Sequence, residues 1–161
     1  MRQQMNFLTR RRFAILAGAV MSPSIALAKD TALPVPASLK EASRLAGGRK
    51  EPLVLLISLP GCPYCELVRR NYLLPMRAEG LHAWQIDVTD SRHTVFDFQG
   101  KVSSGAALAA QFAATITPTV LFFGAQGTEL ADRLAGVASA DFYGGYLDDA
   151  ISRARAALGP R

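Results

Sequence analysis

Cysteine is nearly absent from this chain: there are two in 161 residues, Cys62 and Cys65, three positions apart. That scarcity excludes a disulfide-stapled scaffold, because a bridge closing so short a loop removes little freedom from the unfolded chain. It also leaves a zinc site short of its four ligands, since His82 and His93 lack the paired spacing that would supply the rest. No internal repeat or low-complexity tract is present. The N-terminal apolar run, Phe13 to Met21, is interrupted by Ser22-Pro23-Ser24 and falls short of the roughly 20 residues a membrane-spanning helix needs. A stable membrane anchor is therefore not expected.

Acidic residues are missing altogether from the first 28 positions, where Arg2, Arg10, Arg11 and Arg12 lie. The formal charge of +5 comes from this end, and without it 14 basic residues face 13 acidic ones. A near-neutral domain has no clustered positive face for phosphates, so nucleic acid is excluded as a main partner. The same stretch reads as an address: basic to residue 12, apolar to Met21, then the small-x-small triplet Ala26-Leu27-Ala28. Residues 1–28 are expected to be a cleavable export signal, and Thr9-Arg10-Arg11-Arg12-Phe13 resembles the twin-arginine type found in bacteria. A general secretory signal has the same basic start. Residues 29–37 would be a Pro-rich leader and residues 38–161 one domain, working in the periplasm.

Within that domain Ser38 is placed to cap a helix over 39–46, stopped by Gly47-Gly48. Leu53 to Ile57 is a short continuous apolar run between Pro52 and Pro60-Gly61, as in a strand buried on both faces. A helix is expected from Pro63 to about Ala78, kinked or ended at Pro75. A strand over 82–88 precedes a polar loop over 89–101. Ser103 would cap a helix to about Ala114, and Thr115-Ile116-Thr117-Pro118 would turn the chain. Thr119 to Phe123 reads as a strand, Ala125-Gln126-Gly127 as a hairpin into a strand over 128–134, and 139–157 as the last helix. This order implies an α/β fold with a mixed central sheet flanked by helices. Trp84 and the phenylalanines are expected in the core, and Asp148, Asp149, Arg153 and Arg155 on a solvated helix face.

The Cys pair follows the first strand at once and opens a helix. Thiol-disulfide exchange needs one cysteine with a low pKa and a second near enough to release the mixed disulfide. Cys62 at a helix start would be ionised by unpaired N–H groups and the helix dipole, while Cys65, one turn on, would be the buried resolving thiol. Pro63 presets the first turn without losing a needed hydrogen bond. Tyr64 either touches substrate or packs beside the site. Both histidines read as surface or loop residues.

Strand, Gly61-Cys62-Pro63-Tyr64-Cys65, helix, and then Thr117-Pro118-Thr119 before an apolar strand resembles the thioredoxin superfamily, over about residues 38–158 and including Gly136. Phe96-Asp-Phe-Gln-Gly100 and Phe142-Tyr-Gly-Gly-Tyr146 look most like the SoxW-type periplasmic thioredoxins. The resemblance implies a thioredoxin fold and a protein-disulfide oxidoreductase without metal or organic cofactor. It makes Pro118 a cis-proline facing the cysteines and gives Thr117 the task of offering its backbone to an extended substrate. Its partners would be disulfide-containing exported proteins and a membrane electron donor of the DsbD or CcdA type.

Three departures qualify the resemblance. Six residues before Cys62, where thioredoxins keep a buried aspartate, stands Leu56, and the strand over 82–88 carries no lysine. The tryptophan usual before the first cysteine is replaced by Gly61. Proton transfer from Cys65 must then use water, a backbone route or substrate. Cys-Pro-Tyr-Cys is the glutaredoxin motif, and glutaredoxins lie between thioredoxin and DsbA in potential. A reductase is the leading expectation, with oxidation or isomerisation of exported proteins as the alternative. A binding module or copper chaperone using the two soft thiolates is a third reading, though neither Met76 nor His82 is well placed as an added ligand.

Overall fold

Leu53–Ser58 are buried at every position and form β1, the strand on which the rest of the domain is assembled. In the computed structural model, which describes residues 31–159, β1 pairs in parallel with β2 (His82–Asp87) and antiparallel with β5 (Thr119–Phe123). A short β6 (Leu134–Ala135) completes a four-stranded sheet of order β2-β1-β5-β6. Side chains alternate across a strand, so β1 serves two cores. Val54 and Leu56 pack with Val68, Leu73, Leu147 and Ile151, while Leu53, Leu55 and Ile57 pack with Leu39, Ala42 and Leu108. Helices therefore cover both faces, as the continuous apolar runs of β1 and β5 require. This is the mixed α/β thioredoxin fold expected above.

Helix α1 (Leu39–Gly48) begins at Ser38, whose hydroxyl accepts the Glu41 N–H. The helix after the cysteines runs as α2 (Pro63–Val68), a π-helical segment (Arg69–Leu73) and α3 (Leu74–Ala78). Pro75 thus neither ends it nor lies in a regular interior. The chain widens ahead of it, with the Leu74 N–H reaching the Arg69 carbonyl, and Pro75 enters the first turn of α3, where a missing N–H costs little. Helix α4 (Gly105–Gln111) and helix α5 (Tyr143–Ala157) complete the framework.

Several expectations are corrected. The 89–101 loop carries β3 (Val95–Phe96), paired with β4 (Val102–Ser103). Ser103 is consequently a strand residue, and its neighbour Ser104 caps α4 by accepting the Ala107 N–H. Helix α4 ends at Gln111, followed by Ala113 with a positive φ of 50°. The strand expected over 128–134 is reduced to a bridge at Glu129 and to β6, because Leu130 bonds back to the Phe122 carbonyl and Arg133 turns to the Phe112 carbonyl and to Glu129. Helix α5 starts at Tyr143, four residues later than expected. Phe98, Phe122 and Phe123 are core residues, whereas Phe96 and Phe142 are exposed. Trp84 is half-buried under the Arg77 guanidinium, 4.8 Å from the ring centre. The charged face of α5 is solvated, with Asp149 paired to Arg153.

The export-signal reading of residues 1–28 falls outside the described residues. Of the leader, Leu33 is buried in the core beside Val54 and Leu56, and the Pro34 carbonyl accepts the Gln85 N–H, so this segment lies along the edge of β2. Among the described residues no helix is long and apolar enough to cross a membrane.

Candidate functional site

A chain leaving the C-terminal end of β1 through Leu59-Pro60-Gly61 must reverse into α2, and Gly61 does so with φ +73°, a conformation glycine adopts freely. Cys62 then stands at the N-cap of α2 and Cys65 one turn later, with Cα atoms 5.2 Å apart and the two sulfurs joined in a disulfide. The Cys65 N–H donates to Cys62 Sγ at 3.2 Å. A sulfur in that place is stabilised as an anion once the bridge is reduced, because helix-terminal N–H groups and the helix dipole point at it. Cys62 is partly exposed, whereas Cys65 is wholly buried. The outer sulfur is the one a partner can reach.

The flanking residues divide by exposure. Pro63 lies at the solvent surface in the first helical turn, and Tyr64 is 55 % exposed, so its ring is available to a partner and is not core packing. The Thr117–Pro118 peptide bond is cis. Register locates it: Thr119 pairs with Ile57, so Thr117 and Pro118 lie off the same end of the sheet where the chain departs for Cys62. Pro118 is buried and its carbonyl accepts the Gly136 N–H at 2.7 Å, while the Thr119 hydroxyl donates to the Ile116 carbonyl at 2.6 Å. Thr117 is half-buried, and among the described residues its backbone N–H and C=O take no hydrogen bond. Ile116 and Leu59, both exposed, add apolar surface on the loops beside the pair.

Sequence reasoning missed Arg69. It is 7 % exposed, and its guanidinium donates to Ser58 Oγ at 2.7 Å, to Gln85 Oε1 at 2.6 Å and to Glu66. Ser58 closes β1 and Gln85 lies opposite Leu56 on β2, so the network sits on the sheet face that packs against α2. The signal was the helical spacing from Cys65: positions 65, 68, 69 and 73 share the buried face, and Arg69 is its single charged member. Glu66 also pairs with Arg70. Burial pushes the Glu66 carboxyl up, but the hydrogen bonds and charges of Arg69 and Arg70 outweigh it and hold it below the ordinary range. Pro60, Gly61, Ser58, Glu66 and Arg69 line a cleft of about 390 Å³ beside the Cys loop.

The two histidines stand apart from this site. His82 opens β2, half-buried, and burial first, then Arg49 and Arg77, pushes its pKa down. His93 is exposed and its Nδ1 lies 2.6 Å from Asp90. Among the described residues no group of three or more His, Cys, Asp and Glu side chains is arranged to hold a metal ion.

A thioredoxin-like domain model matches residues 39–151. The fold is similar to that of oxidised thioredoxin O2 from Arabidopsis thaliana, at 14 % identity over 75 % of this chain and 96 % of that one, with a TM-score of 0.50. It is also similar to the DsbH oxidoreductase, at 19 % identity over 76 % of this chain and 88 % of that one, with a TM-score of 0.53. No curated protein matches the chain at a significant level.

Proposed function

The chain belongs to the thioredoxin-like family, and from that premise we propose that it is an exported, periplasmic protein-disulfide reductase working through Cys62 and Cys65. The observation that carries this reading is the pair's asymmetry: an outer sulfur at a helix N-terminus, receiving an N–H, and an inner sulfur with no exposure. In the reduced protein the Cys62 thiolate attacks one sulfur of a substrate disulfide, forming a mixed disulfide and releasing the other substrate sulfur as a thiolate, which takes up a proton. Cys65 then loses its proton and attacks Cys62 Sγ. The second substrate sulfur leaves, and the Cys62–Cys65 disulfide present in this structure is formed. Two electrons pass from protein to substrate.

Thr117 supports the substrate half of this reading, because an extended peptide can bond to its unpaired backbone groups as an added strand would. Tyr64 and Pro63 form the exposed rim of the same contact. Continued turnover requires a dithiol donor, which we take to be a membrane protein of the DsbD or CcdA type. The SoxW-type assignment belongs to this proposal as well.

Insulin reduction with a chemical dithiol as donor tests the reading. Activity is expected in the parent chain and absent in Cys62→Ser, and turnover surviving in Cys62→Ser overturns it. The Pro-Tyr dipeptide and the Sγ-directed N–H both favour the reduced state, which keeps oxidation of exported dithiols as the second direction. A potential near thioredoxin's value of about −270 mV favours the reductase, and one near DsbA's value of about −120 mV the oxidase.

A further inference from the structure

We propose that Arg69 is the charge that ionises Cys65, a positioning residue acting from one turn further along the helix. The inference rests on the redox reading of the cysteine pair and extends it to the resolving step. That step needs Cys65 as a thiolate, yet Cys65 is wholly buried, and burial in apolar surroundings opposes its ionisation.

The strands beneath offer one ionisable group, at their end. On the face that packs against α2, β1 presents Val54, Leu56 and Ser58, and β2 presents Ala83, Gln85 and, opposite Ser58, Asp87, whose carboxylate accepts the Thr89 N–H and hydroxyl. Among the described residues Arg69 is the one buried cation. It follows Cys65 by four positions, its N–H donates to the Cys65 carbonyl, and residues so spaced stack on one helix face with Cβ atoms roughly 5–6 Å apart. Three hydrogen bonds, to Ser58, Gln85 and Glu66, fix the guanidinium against the sheet.

Glu66 does not cancel this charge. The carboxylate is 43 % exposed and shared between two arginines, and Asp87, the other carboxylate lining the cleft, is bonded to Thr89 and not to Arg69. Solvent screens the exposed Glu66 and Arg70 far more than it screens buried Arg69. The positive potential felt at Cys65 is therefore mainly that of Arg69. The proton lost by Cys65 passes to water, which reaches this network through the cleft lined by Ser58, Gly61, Glu66 and Arg69. Glu66 is a poor acceptor for it, because the two arginines keep the carboxyl ionised and weakly basic. Only the reduced protein has a thiolate to stabilise, so at a pH where Cys65 is ionised Arg69 also raises the reduction potential of the pair.

The test measures the pH dependence of Cys65 alkylation in a Cys62→Ser background. Removing the cation in Arg69→Met is expected to raise the Cys65 pKa by about one pH unit, a tenfold loss of thiolate at a given pH below it. Arg69→Lys is expected to restore most of that loss, which a purely structural role would not require. With both cysteines present and the pH above the Cys65 pKa of both proteins, Arg69→Met should lower the equilibrium constant for reduction by glutathione about tenfold, equivalent to about 30 mV. An unchanged Cys65 pKa in Arg69→Met overturns the proposal. Should that variant fail to fold, Arg69→Gln, which is neutral yet still donates a hydrogen bond, decides: a higher Cys65 pKa supports the role, and an unchanged or lower one refutes it. Loss of insulin reduction with these titrations intact would overturn the protein-disulfide reading and leave the role of Arg69 standing.

Discussion

Replacing Gly127 by alanine should harm the domain far more than the same change at Gly61, though both have the backbone conformation that alanine adopts at a cost. Their φ angles are +81° and +73°. Each substitution pays about 1–2 kcal/mol for left-handed geometry and regains about 0.4–1 kcal/mol from a less flexible unfolded chain. These shared contributions cancel in the comparison. The surroundings do not: a Cβ on Gly61 meets nothing within 4 Å, whereas one on Gly127 lies 2.6–3.0 Å from three atoms of the Phe98 side chain. Phe98 has little room to retreat, being 9 % exposed and packed 4.9 Å from Phe123 and 6.1 Å from Phe112 between ring centroids. Overpacking of this kind costs about 1–3 kcal/mol. Gly127→Ala should therefore be about 1–3 kcal/mol less stable than Gly61→Ala, a sizeable part of the roughly 5–15 kcal/mol a domain has in total. Urea denaturation of the oxidised proteins measures this, with similar slopes and a lower midpoint for Gly127→Ala. Equal midpoints would refute the reasoning and imply that the 96–100 segment is not locked against the turn after β5.

Ser58→Ala removes the hydroxyl that accepts from Arg69 and leaves a buried cationic N–H without that partner; urea denaturation should show a loss of about 1.5–3 kcal/mol. Ser104→Ala should cost about 1 kcal/mol through loss of the α4 cap, with Ser103→Ala close to neutral, a contrast the same assay checks. His82 is held neutral in the fold, while in the unfolded chain it takes a proton near pH 6.5. The unfolded state then binds more protons below that pH, so stability should fall as pH drops from about 6.5 towards the lowered folded value. His82→Leu should flatten this part of a stability-versus-pH curve, and an unaltered slope would assign it to another group.

Where the sequence carried a long or chemically distinctive signal, the reading was sound. The apolar runs of β1 and β5, the Ser38 cap, and the placement of the Cys pair at a strand-helix junction all follow from local pattern. Two-residue strands such as β3 and β4 contain too few positions to show alternation, so they read as loop. Ser103 and Ser104 are equally competent caps, and only the pairing of Val95 with Ser103 decides between them. After β5 the Ala125-Gln126-Gly127 turn suggested a hairpin into a full strand, but the Glu129–Arg133 pair and the hold of Arg133 on the Phe112 carbonyl draw the chain off the sheet. Arg69 escaped because an arginine on a helix is usually solvated; counting turns from Cys65 would have placed it inward. The partner-facing roles proposed for Tyr64, Thr117 and Pro118 concern contacts with another molecule, which neither sequence pattern nor a single chain contains.

In the proposed division of labour Cys62 attacks and Cys65 resolves. Mixing each reduced single-cysteine variant with oxidised insulin and weighing the products by mass spectrometry under non-reducing conditions tests it directly. Cys65→Ser, which keeps the exposed sulfur, should accumulate a one-to-one mixed disulfide through Cys62, and Cys62→Ser should form little. Equal trapping by both variants, or trapping through Cys65 alone, would contradict the account.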